Sequence, residues 1–163
     1  VLVFEATNHL EMGKFVNTAL NHKRMIELTG CDNIGIQLDW FHASFEELGP
    51  YEAVMDAHPL LWHMHFRDSN SLTPGYGTLE FRSVIRALKK IARDRGFPEI
   101  AYGAIKEDVG DHRPGMQAAR DWGVRAPLLE AGLGKAEVRT IAHELGLSVG
   151  SKPAAACCWL GWA

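Results

Sequence analysis

Three residues of this 163-residue chain stand at the ends of short apolar runs and have side chains of the types that bind divalent metal ions. They are Glu5, Asp39 and His65. Because the carboxyl ends of parallel strands meet at one edge of a sheet or barrel, we expect these side chains to converge. Two carboxylates and an imidazole suit Mn²⁺, Co²⁺ or Mg²⁺ better than a structural zinc ion. The pattern therefore predicts a divalent-metal site.

A second set of polar residues follows these three within a few positions and could face the same edge of the sheet or barrel. The set consists of Asn8 and Glu11, His42, and Asp68 with Asn70. Each of them alone would mean little, but their clustering indicates a shared site.

The elements that must position these residues alternate between strands and helices. Strands are predicted at 1–4, 33–39, 60–66, 99–102 and 124–127. Helices are predicted at 13–28, 44–48, 51–57, 80–93, from Pro114 onward, and at 135–145. This order predicts an α/β fold with parallel strands. Because a β-α-β connection returns to the same sheet, we expect 99–102 to pair beside 60–66.

Three motifs give the first 90 residues a family resemblance. They are Phe4-Glu5-Ala6-Thr7-Asn8-His9-Leu10-Glu11, Leu38-Asp39-Trp40-Phe41-His42, and His63-Met64-His65-Phe66-Arg67-Asp68-Ser69-Asn70 with its Pro74-Gly75-Tyr76-Gly77 loop. The segment resembles the xylose-isomerase-like barrel superfamily of ketose epimerases, hydroxypyruvate isomerases and metal-dependent endonucleases. The resemblance implies that Glu5, Asp39 and His65 bind the metal and that Glu5 also moves a proton. It further implies that Glu11, His42 and Asn70 bind the substrate, a sugar. A divalent ion that holds the sugar's carbonyl and neighbouring hydroxyl lowers the pKa of the carbon-bound proton, and a carboxylate then removes and returns that proton through an enediolate.

Two positions depart from that family. The family closes its site with a fourth acid on the next strand, but the segment Glu99-Ile100-Ala101-Tyr102-Gly103 has no acid at its end. The epimerases place an Arg after the Asn of the third motif, where this chain has Ser71. The resemblance therefore implies that one proton-transfer group and one sugar or phosphate anchor are missing.

From about residue 96 to 158 a different resemblance is found. Its motifs are Ala101–Asp108, Asp111–Met116, Pro127–Leu133, Lys135–Arg139 and Lys152–Cys157. They resemble the ATP-dependent sacrificial sulfur transferases of the PP-loop superfamily, which supply sulfur to a nickel-pincer nucleotide cofactor. The resemblance makes Cys157 the sulfur donor. Asp108, Asp111 and Arg113 could bind Mg²⁺ and the nucleotide, since Pro114 starts a helix beside them.

That second family grips phosphate with a Ser-Gly-Gly-x-Asp-Ser run, which does not occur in these 163 residues. ATP hydrolysis is therefore not expected. The two resemblances together predict a partial TIM barrel over 1–93 joined to a partial PP-loop, Rossmann-like segment over 94–163.

Composition excludes other classes of function. The net charge is −3, and the 17 basic residues are scattered rather than gathered in the stripe that nucleic acid requires. Apolar runs fall far short of the roughly 20 residues that cross a bilayer, so no membrane partner is predicted. The odd count of three cysteines suits a reducing compartment and predicts a cytoplasmic protein.

The sequence thus predicts an incomplete, divalent-metal-dependent isomerase or epimerase of a sugar or sugar phosphate. A sulfur-transferase fragment that uses ATP and Mg²⁺, and a non-catalytic α/β hybrid, stay open as alternatives. No turnover of either kind is expected. Uncovered strand edges favour association, which leaves a homo-oligomer open.

Overall fold

The computed structural model describes residues 2–11, 13–110 and 114–147. The chain divides into two compact units, one formed by Val1–Ala101 with His112–Arg125 and the other by Tyr102–Asp111 with Ala126–Ala163. The sequence predicts a different boundary, at residue 93, between segments that resemble two protein families. That boundary stays a prediction.

The first unit contains a parallel sheet of three strands. The strands are β1 (Leu2–Glu5), β2 (Ile34–Asp39) and β3 (Leu61–His65), and they lie in the order β1-β2-β3. In this register Glu5 pairs with Gln37, and Asp39 pairs with His65. The helices of this unit are α1 (Ala19–Thr29), α2 (Trp40–Ala43), α3 (Pro50–Ala57), α4 (Arg82–Asp94) and α5 (Pro114–Asp121). The predicted α/β fold with parallel strands is confirmed.

The two faces of β2 have different surroundings, because successive side chains of a strand point to opposite faces. Ile36 and Leu38 are buried in an apolar core with residues of the surrounding helices. The helical members of that core are Ala19, Ile26, Trp40, Ala43, Ala53, Val54, Ala57, Val84, Ala87 and Ile91. Gln37 and Asp39 occupy the other face, where Gln37 contacts His65. The helices therefore cover one face and leave the polar residues on the other.

Helix α1 begins six residues later than the sequence predicts. The predicted helix over 13–28 included Phe15, which is 86% exposed. The helix starts after Thr18, whose side chain accepts a hydrogen bond from the Asn21 backbone N–H. It ends at Gly30, which adopts the left-handed conformation that glycine tolerates best. The capping threonine outweighed the apolar periodicity that had suggested an earlier start.

The short helix predicted at 44–48 is wrong in position. Helix α2 covers Trp40–Ala43 instead, directly after β2. The Asp39 carboxylate accepts the Phe41 backbone N–H at 2.9 Å and so caps this helix. An aspartate that ends a strand can also begin a helix, and this second role was not anticipated.

The strands predicted at 99–102 and 124–127 are also wrong. Within the described residues these segments share only an isolated parallel bridge between Ala101 and Arg125. Pro98 lacks a backbone N–H, so a ladder cannot extend across it. Pro127 starts a short helix rather than ending a strand, because its fixed φ suits the first helical position. The segment 99–102 therefore does not pair with β3.

The remaining elements belong to the second unit. They are a 3₁₀ helix at Lys106–Gly110, α6 (Pro127–Glu130) and α7 (Lys135–Glu144). The Glu137 carboxylate accepts the Gly134 backbone N–H at 3.0 Å, and Glu107 accepts that of Lys135. Acidic side chains thus satisfy N–H groups at the start of α7. No helix in the described part of the chain is long and apolar enough to span a membrane.

Candidate metal and substrate site

The three predicted metal-binding residues lie side by side at the carboxyl edge of the sheet. The Nδ1 atom of His65 is 3.6 Å from Oε1 of Glu5 and 4.0 Å from Oδ2 of Asp39. Each residue is the last of its strand. The predicted convergence is therefore present, and parallel pairing is its cause. Their role as metal ligands stays a prediction.

Asp39 is the most enclosed of the three, with a side chain only 3% exposed. Its Oδ1 atom is held by the Phe41 backbone N–H, as described for α2. Its Oδ2 atom accepts a hydrogen bond from Nε of Arg67 at 3.0 Å. One oxygen is thus fixed by the fold, while the other faces the site.

His42 is buried at the same edge, between Asn8 and Arg67. Oδ1 of Asn8 accepts the backbone N–H groups of Leu10 and Glu11. The Asn8 amide nitrogen must then face Nδ1 of His42, 2.8 Å away. An amide N–H is a donor, so this contact favours Nδ1 as the acceptor and the ring proton on Nε2, whereas Arg67, which also has only N–H groups, lies 2.9 Å from Nε2. With the proton on Nε2, the ring can donate to an oxygen acceptor.

Among the described residues, the three that lie close enough together to hold a metal ion differ in one member from the predicted set. One ligand atom from each of Glu5, Asp39 and His42 lies within 4.8 Å of the others. The predicted set has His65 in place of His42, and Nδ1 of His65 lies 3.6 Å from Glu5 and 4.0 Å from Asp39. With its proton on Nε2, His42 would be the poorer ligand, because a metal requires a ring lone pair. This argument favours His65 as ligand and His42 as a donor to substrate oxygen, as the resemblance implies.

Arg67 was not singled out from the sequence, yet it lies inside this cluster. Besides its bond to Asp39, its Nη2 atom lies 2.9 Å from Nε2 of His42. Its guanidinium carbon is 4.4 Å from the centre of the Phe41 ring. The signal that could have found it is the strand period, since residues two apart face the same side and Arg67 follows His65 by two.

Asp68 organises the following loop instead of facing the site. The side chain is 1% exposed and accepts backbone N–H groups from Ser69, Gly75 and Leu79. Burial alone would raise the pKa of Asp68, but these donors, with that of Gly77, outweigh burial and hold the pKa below its usual range. A side chain at Gly77 would collide with the carboxylate. Asp68 is therefore an ionised anchor of the loop.

The predicted substrate residues Glu11 and Asn70 lie in different surroundings. The Glu11 carboxylate is 36% exposed and lies 3.7 Å from Nδ1 of His42. Asn70 donates to the Tyr76 carbonyl at 2.7 Å and accepts the Leu72 backbone N–H. The structure thus brings Glu11 to the cluster, while the Asn70 amide bonds within its own loop. The substrate-binding roles of both residues stay predictions.

Of the candidate residues in the C-terminal part, only Asp108 lies within the described residues. Oδ2 of Asp108 accepts the Ile105 backbone N–H at 2.9 Å. Asp111, Arg113 and Cys157 lie outside the described residues. Nucleotide and Mg²⁺ binding there stays a prediction.

The comparisons with known proteins identify one family, whose signature matches more than half of the chain. The sequence signature of the family described as "Xylose isomerase-like TIM barrel" matches residues 1–122. D-psicose 3-epimerase of Enterocloster bolteae is 33% identical over 91 residues, which is 56% of this chain and 30% of the epimerase. Pyridinium-3,5-bisthiocarboxylic acid mononucleotide synthase of Lactiplantibacillus plantarum is 42% identical over 67 residues, which is 41% of this chain and 24% of the synthase.

Solved structures agree with the sequence relatives. D-psicose 3-epimerase from Clostridium cellulolyticum H10, solved with D-tagatose, has a TM-score of 0.52 and 28% identity. The match covers 55% of this chain and 31% of the epimerase. The chain therefore spans about a quarter to a third of the length of the relatives it matches.

Proposed function

Because the chain belongs to the xylose isomerase-like TIM-barrel family, we propose that its first unit forms the metal- and sugar-binding part of a divalent-metal-dependent epimerase or isomerase site. The single observation behind this proposal is the meeting of Glu5, Asp39 and His65 at the ends of three adjacent parallel strands. The substrate class is a small sugar or sugar phosphate.

The residues present fit a divalent ion. Two carboxylates and one imidazole form a donor set suited to Mn²⁺, Co²⁺ or Mg²⁺. Glu5, Asp39 and His65 would hold the ion. Nδ1 of His65, which faces both carboxylates, lies 3.2 Å from the Gln37 amide nitrogen in this structure. When bound, the ion would polarise the substrate carbonyl.

The other residues bind the sugar and move its proton. Nε2–H of His42 donates to a substrate oxygen, with Glu11 beside the ring. Glu5 removes the proton from the carbon next to the carbonyl, so that the C–H bond breaks, an O–H bond forms on Glu5, and the electron pair moves toward the carbonyl oxygen. Glu5 then returns the proton to the same face. Inversion requires a second base on the opposite face.

This mechanism makes a sharp prediction for the 163-residue chain. With Mn²⁺ and D-psicose in D₂O, Glu5 should exchange the carbon-bound hydrogen for deuterium without forming the epimer. Proton NMR follows the loss of the signal, and chromatography follows epimer formation. Glu5→Gln should abolish exchange, since an amide cannot accept the proton at neutral pH.

A matched control is Glu52→Gln, which removes a carboxylate from α3, outside the site. It should leave exchange unchanged. Exchange that is absent with D-psicose, D-fructose and D-tagatose, or that survives in Glu5→Gln, contradicts the proposed role of Glu5. Epimer formation would contradict the single-base assignment.

A second candidate is suggested by the 42% identity of 67 residues of this chain to the mononucleotide synthase. In it, residues from about 96 derive from a PP-loop sulfur transferase, with Cys157 as sulfur donor. AMP formation from ATP that Asp108→Ala abolishes would support it. The epimerase proposal has stronger support, because the barrel-family match continues to residue 122, through part of the segment that this candidate requires.

A further inference from the structure

We propose that Arg67 is a displaceable internal cation that occupies the metal position and so sets the metal affinity of the site. The inference rests on the proposed function, because it concerns the same Asp39 carboxylate. It adds a residue that the comparison with epimerases does not assign. Without a metal, Arg67 neutralises Asp39; with one, Arg67 must leave Oδ2 of Asp39.

The first argument is geometric. Nε of Arg67 is 3.0 Å from Oδ2 of Asp39, and Oδ1 is already engaged by the Phe41 backbone N–H. Oδ2 is therefore the oxygen that Asp39 has to offer a metal ion. A guanidinium and a divalent cation cannot share this oxygen at bonding distance without strong repulsion.

The second argument is that Asn8 and Arg67 both present N–H groups to the His42 ring. The Asn8 amide nitrogen lies 2.8 Å from Nδ1, and a neutral ring has only one acceptor nitrogen. Nη2 of Arg67 lies 2.9 Å from Nε2 and also has only N–H groups to offer, so one of the two contacts is unsatisfied. Replacing Arg67 there by a substrate oxygen would give Nε2 an acceptor. The Arg67 position is thus only partly satisfied, which favours displacement.

The third argument is that the Arg67 guanidinium has a second favourable contact, with an aromatic ring. The Arg67 side chain is 20% exposed, and its guanidinium lies over the Phe41 ring. Cation–π attraction to that ring does not require Asp39. The guanidinium can therefore leave the carboxylate and keep this contact.

The test is isothermal titration calorimetry of the full chain with Mn²⁺ alone. Arg67→Met removes the competing cation and should tighten Mn²⁺ binding by about tenfold, which is about 1.4 kcal/mol. Arg86→Met is the matched control, since Arg86 is an exposed arginine of α4 whose guanidinium lies near the Tyr51 ring. It removes the same charge outside the site and should change the affinity by less than about twofold.

The outcomes separate this inference from the proposed function. Unchanged or weaker binding in Arg67→Met, or an equal gain in Arg86→Met, overturns the role of Arg67 while leaving the metal site intact. Absence of Mn²⁺ binding in every variant overturns both. If circular dichroism shows that Arg67→Met is unfolded, Arg67→Lys replaces it. A lysine loses the planar fork, so binding should tighten by about threefold, and no gain overturns the inference.

Discussion

Helices α4 and α7 were both predicted from the sequence, but they differ in what holds them. Helix α4 buries five residues, Val84, Ile85, Ala87, Ile91 and Ala92. Helix α7 buries none of its ten residues. The first is fixed by an apolar core beside the sheet, whereas the second has an ordered start supplied by Glu107 and Glu137. Local signals are therefore enough to define a helix, but burial decides how much stability it contributes.

The same contrast separates the two candidate functional regions. The strand-end cluster lies on a sheet whose opposite face is packed, so its side chains are positioned by the core. Among the described residues of the second unit, only Ala104 and Ala126 are buried apolar residues. A precise site requires rigid support, which the first unit supplies.

The largest effect on stability is expected from creating a cavity in the apolar core, which packs on the face of the sheet opposite the site. Ile36→Ala removes a fully buried side chain and should lower the free energy of unfolding by about 2–5 kcal/mol. Ile141→Ala is the matched change on α7, where Ile141 is 39% exposed, and should cost much less. Urea unfolding followed by circular dichroism compares the two. Equal losses would contradict the contrast between the regions.

A smaller effect is expected at the loop anchor Asp68. Asp68→Asn replaces an acceptor oxygen by a donor facing backbone N–H groups and should cost about 1–3 kcal/mol. Because the folded-state pKa of Asp68 is lowered, its contribution is present above the unfolded pKa and disappears as pH falls through the folded value. Acid should therefore reduce the difference between the wild type and Asp68→Asn.

Asp94→Asn is the control for that measurement. Asp94 is exposed and pairs with Lys90 one helical turn away. It should leave the unfolding midpoint unchanged at neutral pH. A similar midpoint shift in both variants would mean that Asp68 does not anchor the loop.

The smallest effect is expected at His22, a buried polar residue of α1 whose Nδ1 atom has no hydrogen-bond partner among the described residues. Burial lowers the pKa of His22, so the unfolded chain binds more protons and stability falls as pH drops below about 6.5. His22→Leu should match the wild type at pH 8 within about 1 kcal/mol and lose less stability at pH 5.5. Thermal unfolding at both pH values measures this difference.

His143→Gln on α7 provides the comparison, because His143 is exposed. It should keep the acid sensitivity of the wild type. If His22→Leu retains that sensitivity as well, His22 is not its source.

The sequence predicted the three strands, α3, α4 and the strand-end cluster because each depends on a local pattern. Periodicity defined the strands, and parallel pairing then brought Glu5, Asp39 and His65 together. The sequence did not predict the isolated bridge at Ala101, because pairing depends on tertiary contacts that four residues do not encode. Arg67 continues the strand period two residues beyond His65, but its role depends on its contacts with Asp39 and His42, which the sequence alone does not give.

The most direct test of the central claim is an anomalous difference map from a crystal of this chain soaked with Mn²⁺. The account predicts one ion bound by oxygens of Glu5 and Asp39 and by a ring nitrogen of His65, at about 2.0–2.3 Å. Arg67 should no longer bond to Asp39. A map with no ion at the strand ends, or with His42 in place of His65 as the ligand, would contradict the account.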